Sequence, residues 1–140
     1  MNLLVRKKLK KIFEKYIAPS VMENLLEKSG EISLGGEKKK LTVLFADIRG
    51  FTPIAENLSP EKTVELLNRI LNIMVESIFK YEGTLDKFIG DGIMAIFGAP
   101  VEYEDHAKRA ILSAIEMMEG VKSCLLYTSD AADEGLGVDL

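Results

Sequence analysis

The sequence predicts an α+β fold, a ferredoxin-like βαββαβ sheet truncated before its final strands. Three observations predict it. An apolar run of strand length, Leu41 to Ile48, precedes a long amphipathic segment bounded by Ser59-Pro60 and Gly83. Two further apolar runs are joined through Ile89-Gly90-Asp91-Gly92, whose Asp-Gly step is a hairpin signal. A second amphipathic segment then follows, so one more strand completes the order strand, helix, strand, strand, helix, strand.

Taken in order, residues 5–28 read as a helical lead. A basic cluster (Arg6, Lys7, Lys8, Lys10, Lys11) is followed by Ile12, Phe13, Tyr16 and Ile17 at helical spacing. Ala18-Pro19-Ser20 interrupts it, and Ser20 is placed to cap a second short helix bearing Val21, Met22, Leu25 and Leu26. Gly30 to Lys40 is a polar loop with paired Gly35-Gly36. Leu41 to Ile48, nearly continuous in apolar residues, reads as a buried strand, and Gly50-Phe51-Thr52-Pro53 as a turn. Ser59 and Pro60 open a long helix with the stripe Val64, Leu67, Ile70, Leu71, Met74, Val75, Ile78, closed by Gly83. Thr84–Ile89 and Ile93–Phe97 form the hairpin strands. Glu104 and Asp105 then favour the start of a last helix, expected to bury Ala107, Ala110, Ile111, Ala114, Ile115 and Met118 until its periodicity stops near Lys122.

At 140 residues, 47% hydrophobic and 29% charged, the chain suits one soluble domain. It divides into a lead or linker (1–36), a domain body (37–123) and a tail (124–140). The tail, Cys-Leu-Leu-Tyr-Thr-Ser-Asp-Ala-Ala-Asp-Glu and onward, resembles the translation of a sequencing-library adapter and is read as non-native. It holds four acids, Asp130, Asp133, Glu134 and Asp139, and no base. Residues 1–123 therefore carry 18 basic and 18 acidic side chains, a balance that argues for neither nucleic acid nor membrane. No apolar stretch approaches the ~18 residues of a membrane span, and the start lacks the pattern of a secretory signal. The basic cluster reads either as a solvated helix face or as the cytoplasmic flank of a membrane anchor in the parent.

Two aspartates stand out. Asp47 closes the first strand and Asp91 sits in the hairpin turn. In a βαββαβ sheet the first strand lies beside the third, which brings the two near each other as oxygen ligands for a pair of hard cations. Taken singly, Asp91 is most simply a turn residue, whereas Asp47 reads as either a capping acid or a functional ligand. Lys87, four residues before Asp91, either faces solvent or points into the same cleft. Asp86 reads as a solvated neighbour, His106 as a surface residue, and Met74, Met94, Met117 and Met118 as core filling. The stretch Ile48 to Thr52 offers free backbone N–H groups to a polyphosphate.

The segments Leu44-Phe45-Ala46-Asp47-Ile48-Arg49-Gly50-Phe51-Thr52 and Asp86-Lys87-Phe88-Ile89-Gly90-Asp91-Gly92-Ile93-Met94-Ala95-Ile96-Phe97-Gly98 closely resemble the class III adenylate/guanylate cyclase catalytic domain. The resemblance covers about Phe13 to Lys122, including Leu34-Gly35-Gly36-Glu37. It implies conversion of ATP or GTP to a 3′,5′-cyclic nucleotide and pyrophosphate with two Mg2+ (or Mn2+) ions. By the same resemblance Asp47, Asp91 and the Ile48 carbonyl are metal ligands, and Phe51 and Thr52 lie on the phosphate-contacting segment. Lys87 stands at the base-reading position, where a lysine donates to adenine N1 and a glutamate accepts from guanine, so ATP is the expected substrate.

The family's second base-selecting residue and its asparagine–arginine pair belong to a second half that this sequence lacks. Its active sites form between two chains, so the resemblance implies a homodimer partner and an inactive or nearly inactive fragment. It also implies a cytoplasmic signalling domain with a membrane or sensor module upstream in the parent. The alternatives are a guanylate cyclase, a catalytically silent dimerisation or regulatory module, and a polymerase-palm-like nucleotidyltransferase.

Overall fold

Each expected strand forms, and the chain folds as an α+β unit in the expected order. The computed structural model describes residues 2–27 and 36–131, with side chains to residue 126. The expected Gly30–Lys40 loop and the Leu34–Glu37 segment lie partly, and the end of the tail wholly, outside the described residues. The lead forms α1 (Leu3–Phe13) and α2 (Pro19–Glu27). Pro19, rather than a capping Ser20, opens α2, because a residue without an N–H costs nothing in a first turn. Ala18 and Val21 of the lead are buried against Val101, beside Ile17, Leu25 and Tyr103. Immediately after α1, the Leu85 N–H donates to the Tyr16 carbonyl at 2.7 Å and Ile17 bridges Thr84. The lead is thereby tied to the edge of the sheet.

The body runs β1 (Thr42–Ala46), α3 (Phe51–Glu56), α4 (Pro60–Lys80), β2 (Thr84–Ile89), β3 (Gly92–Phe97) and α5 (His106–Ala131). The sheet order is β1-β3-β2, antiparallel throughout. Ser59 caps α4 through its hydroxyl, which accepts from the Lys62 N–H at 3.3 Å, and Pro60 follows as expected. The helices α4 and α5 pack on one face of the sheet. Leu44, Leu85, Ile93, Ala95 and Phe97 meet Ile70, Met74, Ile78, Ala110 and Met117 there. Gly83 lies so close to this core that a Cβ would stand 2.6 Å from the Phe97 ring.

Several expectations are corrected. The first strand is shorter than Leu41–Ile48 and is covered on one face only, so Leu44 is buried while Phe45 is 67% exposed. The covering helices sit on one side, so a continuous apolar run here does not mean burial on both faces. The segment after it is a helix, not a turn: Gly50, at φ 70°, lets the chain reverse into α3. On α4, Val64 is exposed and Leu66 is buried instead. On α5 the packed face is Ala110, Ser113, Ala114 and Met117, whereas Ala107, Ile111, Ile115 and Met118 are exposed. Small residues set that choice, since they let helices approach closely. A Cβ on Gly120 would stand 2.7 Å from Ile73 of α4. Helix α5 also continues past Lys122 to Ala131, with Leu125 buried in the core.

Candidate functional site

The site follows from register. Ala46 pairs with Ile93 and Ile89 with Gly92, so the end of β1 and the β2–β3 turn finish at the same edge of the sheet. Asp47 is the next residue after β1, and Asp91 is the second residue of the turn, after Gly90 at φ 61°. Gly92 permits the approach. A Cβ at that position would lie 2.7 Å from the Ala46 carbonyl oxygen and 3.1 Å from an Asp47 carboxylate oxygen. Any other side chain would push the turn away from β1.

The two aspartates line one cleft. The neighbouring Asp47 side chain, and then burial, hold the Asp91 carboxyl above its ordinary value. The pair borders a cleft of about 290 Å³ lined by Phe45, Ala46, Asp47, Ile89, Asp91, Gly92 and Ile93. Among the described residues no cluster of three or more Asp, Glu, His or Cys side chains is placed to hold a metal. The donor set is thus two hard oxygen ligands with an open remainder. It suits Mg2+ or Mn2+ completed by backbone, water and phosphate oxygens, and not a dedicated all-protein cage.

The remaining candidates do not line this cleft. Ile48 is buried in the core through its side chain, leaving only its backbone for any ligand role. Phe51 packs partly against the core and Thr52 is exposed; together they open α3, whose cap Gly50 supplies no side-chain hydrogen bond. The first N–H groups of α3 are therefore uncapped by any side chain. Lys87 is exposed, with its ammonium 3.6 Å from Asp86. It pairs with Met94, which also pairs with Phe45, so the three share the open face of the sheet.

A β-bulge between Leu85 and Lys87 produces that placement. On a regular strand Lys87 would share the inward face of Leu85, which is 4% exposed. The extra residue, Asp86, turns Lys87 outward. Sequence reading missed both the bulge and the cleft-lining Phe45, Ile89 and Ile93. Alternation of small and large residues along Leu44-Phe45-Ala46 was the available signal for Phe45.

Comparison with known proteins gives a consistent picture. The family described as "Adenylate and Guanylate cyclase catalytic domain" matches residues 35–136. The chain is 34% identical over 130 residues to "Adenylate cyclase, terminal-differentiation specific" of Dictyostelium discoideum, covering 91% of this chain and 6% of that protein. It resembles the crystal structure of the adenylyl cyclase CyaB from P. aeruginosa (TM-score 0.63, 39% identity), covering 68% of this chain and 49% of that one. It resembles the guanylyl cyclase Cya2 similarly (TM-score 0.65, 36% identity), covering 72% and 51%. The chain thus spans about half of each solved structure.

Proposed function

This chain belongs to the adenylate and guanylate cyclase catalytic domain family, and we propose that its parent converts ATP to 3′,5′-cyclic AMP and pyrophosphate in intracellular signalling. The single observation that carries the reading is the convergence of Asp47 and Asp91 on one cleft at the end of the sheet. In this proposal the two carboxylates, with the Ile48 carbonyl, hold two Mg2+ (or Mn2+) ions. When bound, such ions lower the pKa of the ribose 3′-hydroxyl and neutralise charge on the triphosphate. The residues of the chain do the positioning: Asp47 and Asp91 fix where the cations stand, and the uncapped start of α3 at Phe51 and Thr52 meets phosphate oxygens. Lys87, turned outward by the bulge, donates to adenine N1 and so selects ATP over GTP.

A homodimer is part of the proposal. A cleft of about 290 Å³ is small for a nucleoside triphosphate, so one chain lines only part of what the substrate needs. The uncovered face bearing Val43, Phe45, Met94 and Ile96 borders it. A partner seated there completes the site, and alone this chain turns over little or nothing. Similarity is nearly equal to an adenylyl and a guanylyl cyclase, so the base preference rests on Lys87.

Residues 124–140 are proposed to be a non-native tail, on the strength of their text; Leu125 enters the core because the run is able to extend α5. Reading the gene beyond position 123 tests this. Assay of the completed domain with manganese and ATP tests the activity: cyclic AMP formation is expected, and no product from a folded, dimeric domain would favour a silent module instead.

A further inference from the structure

Helix α1 is separate from the cleft and from the core. None of its residues is buried. Val5, Leu9, Ile12 and Phe13 lie along one side at helical spacing and are 45%, 38%, 53% and 47% exposed. The opposite side carries Lys7, Lys10 and Lys11, and Arg6 and Lys8 flank the apolar side on its two edges. Leu3 and Leu4 add exposed apolar surface at its start. The helix is well formed locally, since the Asn2 side chain accepts from the Leu4 N–H at 3.0 Å. Yet its 11 residues are fewer than the ~12–15 that sustain an isolated helix in water. Some surface must cover the apolar side to hold it.

Charge decides what kind of surface. Residues 3–16 contain six cations and one acid, Glu14, a net charge of +5, while the rest of the chain has 12 basic against 21 acidic residues. A second copy laid along the same side would bring two +5 segments into contact. An anionic surface complements them instead. Arg6 and Lys8 are placed for their stems to cover the apolar edge while the charged heads reach phosphate groups.

We propose that α1 is an interfacial helix that lies on an anionic lipid surface, its apolar side in the headgroup–acyl boundary and its cations toward lipid phosphates. The chain leaves α1 through Tyr16 and Ile17, which are bonded to Leu85 and Thr84 of β2. Adsorption would thereby seat the sheet edge at a fixed height above the bilayer.

Co-sedimentation of the 140-residue chain with vesicles tests this. Binding is expected to vesicles of phosphatidylcholine mixed with phosphatidylserine, to weaken as salt is raised, and to be slight on phosphatidylcholine alone. K7Q with K11Q should weaken binding on the order of thirtyfold. L9S with I12S should weaken it by more than about tenfold, without shifting the melting of the body, because neither side chain enters its core. Equal pelleting on both vesicle types, or binding indifferent to both double variants, would overturn the proposal. So would failure to pellet combined with self-association in sedimentation velocity that L9S/I12S abolishes, which would make the occupant a second copy.

Discussion

Asp91 and Asp47 line one cleft at the end of the sheet, although the two residues are 44 positions apart in the chain. The neighbouring Asp47 side chain holds the Asp91 carboxyl above its ordinary value. An acid whose folded value is raised contributes stability that is complete below its unfolded value and is lost as pH rises through the folded one. At neutral pH and without cations the pair therefore opposes folding. Asp91→Asn removes the repulsion and keeps a donor for Asp47. We expect it to raise the melting temperature of the cation-free protein slightly at pH 7, by at most about 0.5 kcal/mol in an open cleft, and to give no gain under acid conditions. Thermal melts across pH check this.

Gly92→Ala should be costly. Its Cβ would stand 2.7 Å from the Ala46 carbonyl oxygen, a backbone atom unable to move without breaking the register of β1. A loss of roughly 1–3 kcal/mol in denaturant unfolding is expected, with cation binding weakened as well because the turn is displaced from Asp47.

The corner where the lead meets the body has its own titration signature. The Tyr103 hydroxyl donates to Glu82, and the Arg109 guanidinium lies 4.3 Å from the centre of the Tyr103 ring. Burial, and then the bond to Glu82, push the Tyr103 phenol up to about 12. Its contribution to stability is thus complete below its ordinary value and lost as pH rises toward 12. Ultraviolet titration should show one tyrosine ionising that late, and Tyr103→Phe should remove this step and cost about 1 kcal/mol.

Lys87→Glu should shift nucleotide preference from ATP toward GTP in the completed domain, because a carboxylate accepts from guanine where the ammonium donates to adenine. The ratio of kcat/KM for the two nucleotides measures it. An unchanged ratio would remove Lys87 from base selection.

Much of this was legible in the sequence because local rules and tertiary packing agreed. The Ser59-Pro60 start of α4 and the Ile89–Gly92 hairpin step carry strong short-range signals, and both stand where the text puts them. Disagreements arose where only packing decides. Helix α5 offers two apolar faces, and the text favours the bulkier one with Ile111, Ile115 and Met118. The fold takes the smaller face because α4 comes within contact of Gly120. The bulge at Asp86 left no mark in composition, so the choice between the two faces open to Lys87 was not readable. The convergence of Asp47 and Asp91 was readable from topology, since strand order alone puts β1 beside β3.

The account stands on those two carboxylates sharing a cation site. Titration of Mn2+ into the chain, followed by paramagnetic resonance, measures this without requiring turnover. Binding should weaken at least about tenfold in both Asp47→Asn and Asp91→Asn. Binding that survives both substitutions undiminished would contradict it.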